Sequence, residues 1–234
     1  MIDIEKNKEI NKKLSELYVE YSQDFLSVYT DAFEDSEPPC RINEFGIIDE
    51  ERFDADNGIL VIAKETNKWH NWEFERNIFF RDWMSDITKT GLADRGHITK
   101  HPIMWYNMGR WLKAIENPSA NIDDIAWLKS EAISQLGTMA FTNINKVRGG
   151  SSSRKQYAKV AYSEIVGTVL REEIEIIQPK IIMCCGTWRV FNYHLNCEVL
   201  EKAGCKVLCM PHPAARKGSK EMIEDLIKQL EENK

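Results

Sequence analysis

Apolar residues recur along this chain in two rhythms. Over residues 3–35 they fall at Ile10, Leu14, Leu17, Tyr18, Tyr21, Phe25, Leu26 and Val28, the three-and-four spacing that lays one stripe along a helix. A polar, proline-containing connection follows at 34–41. The second rhythm is a short unbroken apolar run, seen in GILVIA (58–63), MAFTN (139–143), KIIMCC (180–185) and KVLCM (206–210). Between these runs lie helix-spaced stretches at 73–89, 103–116, 122–136, 158–177, 188–202 and 219–232, and Gln178-Pro179 stops the one that ends at 177. Strands that are apolar on both faces and alternate with helices need cover on both sides of their sheet. The pattern therefore predicts an α/β fold, a three-layer α/β/α arrangement around a mostly parallel four-stranded sheet. An N-terminal helical extension (1–40) precedes an α/β domain (41–234). There is no internal repeat, and GGSSSRK (149–155) reads as a flexible basic loop.

Composition narrows the picture. At 234 residues and 43% apolar content the chain is long enough to bury a sizeable core. No apolar run approaches the roughly 18 residues of a membrane span, and MIDIEKNKEINKK is charged from its third residue. A soluble, cytoplasmic protein without a membrane partner is expected. Cys40, Cys184, Cys185, Cys197, Cys205 and Cys209 form no CxxC pair and sit mostly in strand-like runs, which favours buried reduced thiols over disulfides or a metal. A net charge of −6 excludes a protein that coats nucleic acid indiscriminately but leaves room for a local basic face. Lys146, Arg148, Arg154 and Lys155 follow the second strand, and Arg216, Lys217 and Lys220 follow the fourth, so both groups fall on one rim.

That rim is also where chemistry is expected, because ligands of open parallel sheets bind beyond the carboxyl ends of the strands. Lys64-Glu65-Thr66-Asn67 follow the first strand, Asn143 ends the second, Gly186-Thr187 follow the third, and Pro211-His212-Pro213 follow the fourth. Two prolines fix the backbone on either side of His212, which suits a ring that must be held in place. Each residue also has an ordinary reading. His212 and Asn143 can finish strands, Glu65 can be a solvated carboxylate, and Phe79, Phe80 and Trp83 lie in a helical pattern that usually marks core. Lys64 reads as a surface or phosphate-contacting lysine or as a Schiff-base nucleophile.

The order of AKETN (63–67), FTNINK (141–146), QPKIIMCCG (178–186) and MPHPAAR (210–216) resembles that of the uracil-DNA glycosylase superfamily over about residues 58–230. The first motif departs from the family's Gly-Gln-Asp-Pro-Tyr or Gly-x-Asn-Pro-Gly. The resemblance implies a monofunctional DNA glycosylase that flips out a pyrimidine and hydrolyses its N-glycosidic bond. His212 and Glu65 would be catalytic, the first as donor to the departing base and the second as anion beside the sugar. Asn143 would pair with the base edge and Asn67 would stand against carbon 5. Phe79 or Phe80 would stack on the base, with Trp69 and Trp72 as competitors, and Arg216 would fill the gap in the duplex. Lys146, Arg148, Arg154, Lys155 and Lys217 would track the phosphates. Some relatives hold an iron–sulfur cluster on four cysteines, a spacing this chain does not reproduce, so no cofactor is expected. The expected partner is double-stranded DNA bound by a monomer. Because Asn67 replaces a bulky tyrosine, the expected substrate is a C5-modified cytosine, hydroxymethylated or glucosylated, in phage DNA, as in the antiviral branch of the superfamily. The alternatives are uracil excision in repair, a catalytically silent nucleic-acid-binding module, and a hydrolase of small nucleosides.

Overall fold

The computed structural model describes residues 2–32, 42–64, 66–67, 80–91, 103–149 and 154–232, and for Thr66, Asn67, Arg148, Gly149, Arg154 and Lys155 only the course of the backbone. The four anticipated strands are present: β2 (Ile59–Ala63), β4 (Met139–Asn143), β6 (Ile181–Cys185) and β7 (Lys206–Met210). They lie side by side and parallel in the order β4-β2-β6-β7. The sheet is five-stranded and mixed, however, where four strands were expected. The fifth strand, β1 (Gly46–Ile47), pairs antiparallel on the outer edge of β4. Two residues carry no periodicity, and this strand depends on tertiary support. Asn11 of helix α1 (Ile4–Ala32) accepts from Ile47 N at 2.8 Å and donates to Ile47 O at 3.1 Å, closing the exposed sheet edge.

Helix α1 is accordingly built into the core. Leu14, Phe25, Leu17 and Tyr18 lie on one stripe and are fully or almost fully buried. They pack mainly against α7 (Glu164–Ile177). The other α-helices among the described residues are α2 (Phe80–Thr90), α3 (Ile103–Glu116), α4 (Ile122–Ala126), α5 (Ser130–Gln135), α6 (Arg154–Ala161), α8 (Trp188–Leu195), α9 (Cys197–Lys202) and α10 (Ser219–Glu232).

Three stretches expected as single helices are each split. Between α4 and α5 the freed carbonyl of Leu128 accepts from Arg110 Nε at 2.9 Å. Between α6 and α7, Ser163 leaves the helical region (φ −73°, ψ 152°) and its hydroxyl donates to Val160 O at 2.7 Å. Between α8 and α9, Asn196 sits at φ +49° and the Asn192 side chain accepts from Cys197 N at 3.0 Å. Asn and Ser compete locally for backbone bonds, a choice invisible to hydrophobic spacing. The stop at Gln178 is as expected, in the left-handed conformation just before Pro179.

From β2 the chain steps outward to β4, then returns across β2 to β6 and on to β7. Right-handed crossovers in these opposite directions send the intervening helices to opposite faces. Contacts between elements agree, with α1, α6, α7 and α8 packing among themselves and α3, α4, α5 and α10 doing likewise. Among the described residues no helix is long and apolar enough to cross a membrane. Cys184, Cys185, Cys197 and Cys205 are buried free thiols and Cys209 is an exposed one. Burial pushes the Cys185 thiol above the ordinary range and the Cys205 thiol to about 11.

Candidate active site

The step from β4 over β2 to β6 makes a topological switch, the place where open parallel sheets bind ligands beyond the carboxyl ends of their strands. Beyond the sheet the backbones of the first and second strands stay paired. Ile144 N donates to Ala63 O at 2.9 Å and Asn145 N to Lys64 O at 3.0 Å. Further out, β3 (Thr66–Asn67) and β5 (Arg148–Gly149) form a two-stranded parallel ribbon, Thr66 opposite Arg148 and Asn67 opposite Gly149. The ribbon brings the expected base-facing position, Asn67, beside the expected phosphate contact, Arg148. Glu65 and Phe79 lie outside the described residues.

Asn143 is the last residue of β4 and is completely buried, yet neither its Nδ2 nor its Oδ1 has a hydrogen-bond partner. Leaving such a group unpaired costs about 1–3 kcal/mol. The backbone that carries it is pinned from below. Glu173 Oε1 of α7 accepts from Lys146 Nζ at 2.5 Å, from Thr142 Oγ1 at 2.8 Å and from the Tyr18 hydroxyl of α1, while Lys146 also donates to Thr142. Burial pushes the Lys146 ammonium below its ordinary pKa, with Glu173 opposing, and burial beside the same carboxylate raises the Tyr18 phenol well above its own.

Lys146 is therefore a fully buried member of an ion pair, not the phosphate contact expected of it. Lys217 departs from expectation too. Hydrogen bonding to Asp225, then to Glu221 at 3.2 Å, engages its charge and raises its pKa. Arg216 is exposed on the same loop, as a DNA contact requires. Phe80 is 2% exposed and lies parallel to Phe141 at 5.2 Å, with Phe45, Trp83 and Trp105 around it. It belongs to an aromatic core and does not offer a free face to a base.

His212 leans over the end of β6. Gly186 has φ +73°, and a Cβ placed on it would meet His212 Cβ and N at a tight 3.3 Å, so both its left-handed backbone and the close approach of the two loops favour glycine. Gly186 N donates to Met210 O at 2.8 Å, and Thr187 Oγ1 ties the same loop to Ile62 O at 2.8 Å. The imidazole Nδ1 accepts from Ala214 N at 3.1 Å. This bond selects the neutral tautomer with its proton on Nε2, which makes that nitrogen the donor of the ring. Although His212 is an exposed residue, partial desolvation of its ring, and then the charge of Lys64, hold the imidazole below the ordinary histidine pKa. The Lys64 ammonium lies 4.1 Å from the Tyr157 ring centre.

Asn143, His212 and Lys64 thus bring an unpaired buried amide, a neutral imidazole and a cation to the carboxyl-end rim of one sheet. Such a set can bind a planar group by its edge and stabilise negative charge developing on it. Sequence reasoning missed Glu173, beneath the strand that carries Asn143, Tyr157, against the Lys64 ammonium, and Asn107 of α3, whose Nδ2 donates to Pro213 O at 2.7 Å while Arg110 Nη1 donates to its Oδ1 at 3.2 Å. For Asn107, Arg110 and Glu173 the available signal was a polar residue on the apolar face of a helix. Comparisons with models of known families, with curated proteins and with solved structures found no match.

Proposed function

We propose that the chain is a monofunctional DNA glycosylase that hydrolyses the N-glycosidic bond of a flipped pyrimidine and leaves an abasic site. The observation that carries this reading is Asn143, a buried amide with both polar atoms unpaired at the carboxyl end of its strand. A pyrimidine edge presents the complementary donor and acceptor. His212 donates from Nε2 to the base as it takes up negative charge, and Lys64 adds a favourable field at the same place. Glu65 is assigned the anion beside the sugar on the sequence motif alone.

The favoured substrate is a C5-modified cytosine, hydroxymethylated or glucosylated, because Asn67 occupies the position where the tyrosine form of the motif closes off carbon 5. Incubation with duplexes containing uracil, hydroxymethylcytosine or its glucosylated form, scored for abasic sites, tests both levels. His212→Ala and Asn143→Ala should each remain folded and lose at least about a hundredfold in rate, the scale of one preorganised donor. Wild-type release of uracil alone removes the substrate assignment; release from none of the three removes the activity.

A further inference from the structure

The peptide unit joining Pro213 to Ala214 is gripped at both ends. Its N–H donates to His212 Nδ1 at 3.1 Å, and its carbonyl accepts from Asn107 Nδ2 at 2.7 Å. Asn107 stands on α3, far from this loop in sequence, and is 1% exposed. Two donors hold its own carbonyl: Ser219 Oγ at 2.8 Å and Arg110 Nη1 at 3.2 Å. Arg110 is fixed in turn, Nε on Leu128 O at 2.9 Å and Nη1 on Ser219 Oγ at 3.0 Å. With two donors on Oδ1 the amide cannot flip without losing both bonds, so Nδ2 must face Pro213. The peptide is planar and trans, so drawing its carbonyl toward Asn107 aims its N–H the opposite way, at the imidazole. A bond accepted at the carbonyl also polarises the N–H and strengthens it as a donor.

We propose that Asn107 is a positioning residue for His212: through the Pro213–Ala214 peptide it holds the imidazole in the tautomer with its proton on Nε2, while Arg110 and Ser219 hold Asn107. This rests on the reading of His212 as the donor to the base. Protonating Nδ1 would set two N–H groups against each other, so the relay also resists charging of the ring. Lys64 acts on the ring in the same direction from the end of β2, just past Ala63, and Arg216 and Lys217 are the cations of its own loop.

The test is nitrogen-15 NMR of the histidine rings in the full chain, comparing the wild type with Asn107→Ala and Ser219→Ala, each checked for folding by circular dichroism. The wild-type His212 ring should carry its proton on Nε2. In Asn107→Ala the share of the Nδ1–H form should grow about fivefold, the effect of losing one hydrogen bond, and half-protonation should move to higher pH. Ser219→Ala, which removes one grip at the start of α10, should shift both readings the same way by less, and it decides the matter alone if Asn107→Ala does not fold. Wild-type tautomer and titration in the folded variants overturn the relay. A shifted tautomer with unchanged base release upholds the relay and removes His212 from the chemistry instead.

Discussion

At Asn143 a carbonyl and an amino group are both out of water without partners, a cost of about 1–3 kcal/mol for each group. The proposed pairing with a base edge would account for a cost that folding does not. Asn143→Leu, close in size and apolar, should therefore raise the unfolding free energy of the unliganded protein by about 1 kcal/mol or more while abolishing base release. Urea melts and the abasic-site assay check the two halves. At His212 the sign runs the other way from a paired histidine. Partial desolvation and Lys64 lower its pKa, an effect that exposure of the residue moderates, so the folded state resists a proton that the unfolded chain accepts. Stability contributed by the neutral ring is present above the unfolded value of 6.5 and declines as pH falls below it. Base release should persist through the ordinary histidine range and fail only below it. Lys64→Met should move that acid limb of the pH–rate profile to higher pH.

Among the elements, α1, α7 and β4 meet in one buried group: Tyr18, Glu173, Thr142 and Lys146. Glu173 is completely buried and its Oε2 has no partner, so the ion pair with Lys146 carries most of its compensation. Lys146→Met should cost about 3–5 kcal/mol in denaturant unfolding, because it strands a carboxylate in the core. Adding Glu173→Leu to it should restore part of the loss, an outcome that a purely steric defect at position 146 would not give. The four long strands were legible because each is apolar on both faces. The site's supports were not, since Lys146 reads as a surface cation until Glu173 is brought beneath it. Phe80 was misplaced for a related reason, because spacing fixes which face of a helix an aromatic takes but not whether that face meets a ligand or Phe141.

For the whole molecule, the net charge of −6 confines any DNA contact to a local track. Lys146 is removed from that track by burial and Lys217 by its carboxylates, which leaves Arg216 as its exposed cation on the closing loop. Arg216→Ala should weaken duplex binding uniformly across sequences and lower the slope of affinity against salt by about 1, as loss of one phosphate contact does. A changed base preference at constant affinity would contradict it.

The sequence by itself determined the alternation of strands and helices, the parallel core of the sheet, and the convergence of Asn143 and His212 on one rim, because these follow from periodicity and from where strands end. Tertiary structure alone decided the edge strand that Asn11 supports, the breaks where Ser163 and Asn192 claim backbone bonds, the burial of Lys146 against Glu173, and the grip of Asn107 on the His212 loop. Each of these joins residues far apart in the chain or trades one local bond for another. Hydrophobic spacing records only which side of an element is dry, and a polar residue's role is set by the partner that folding brings to it.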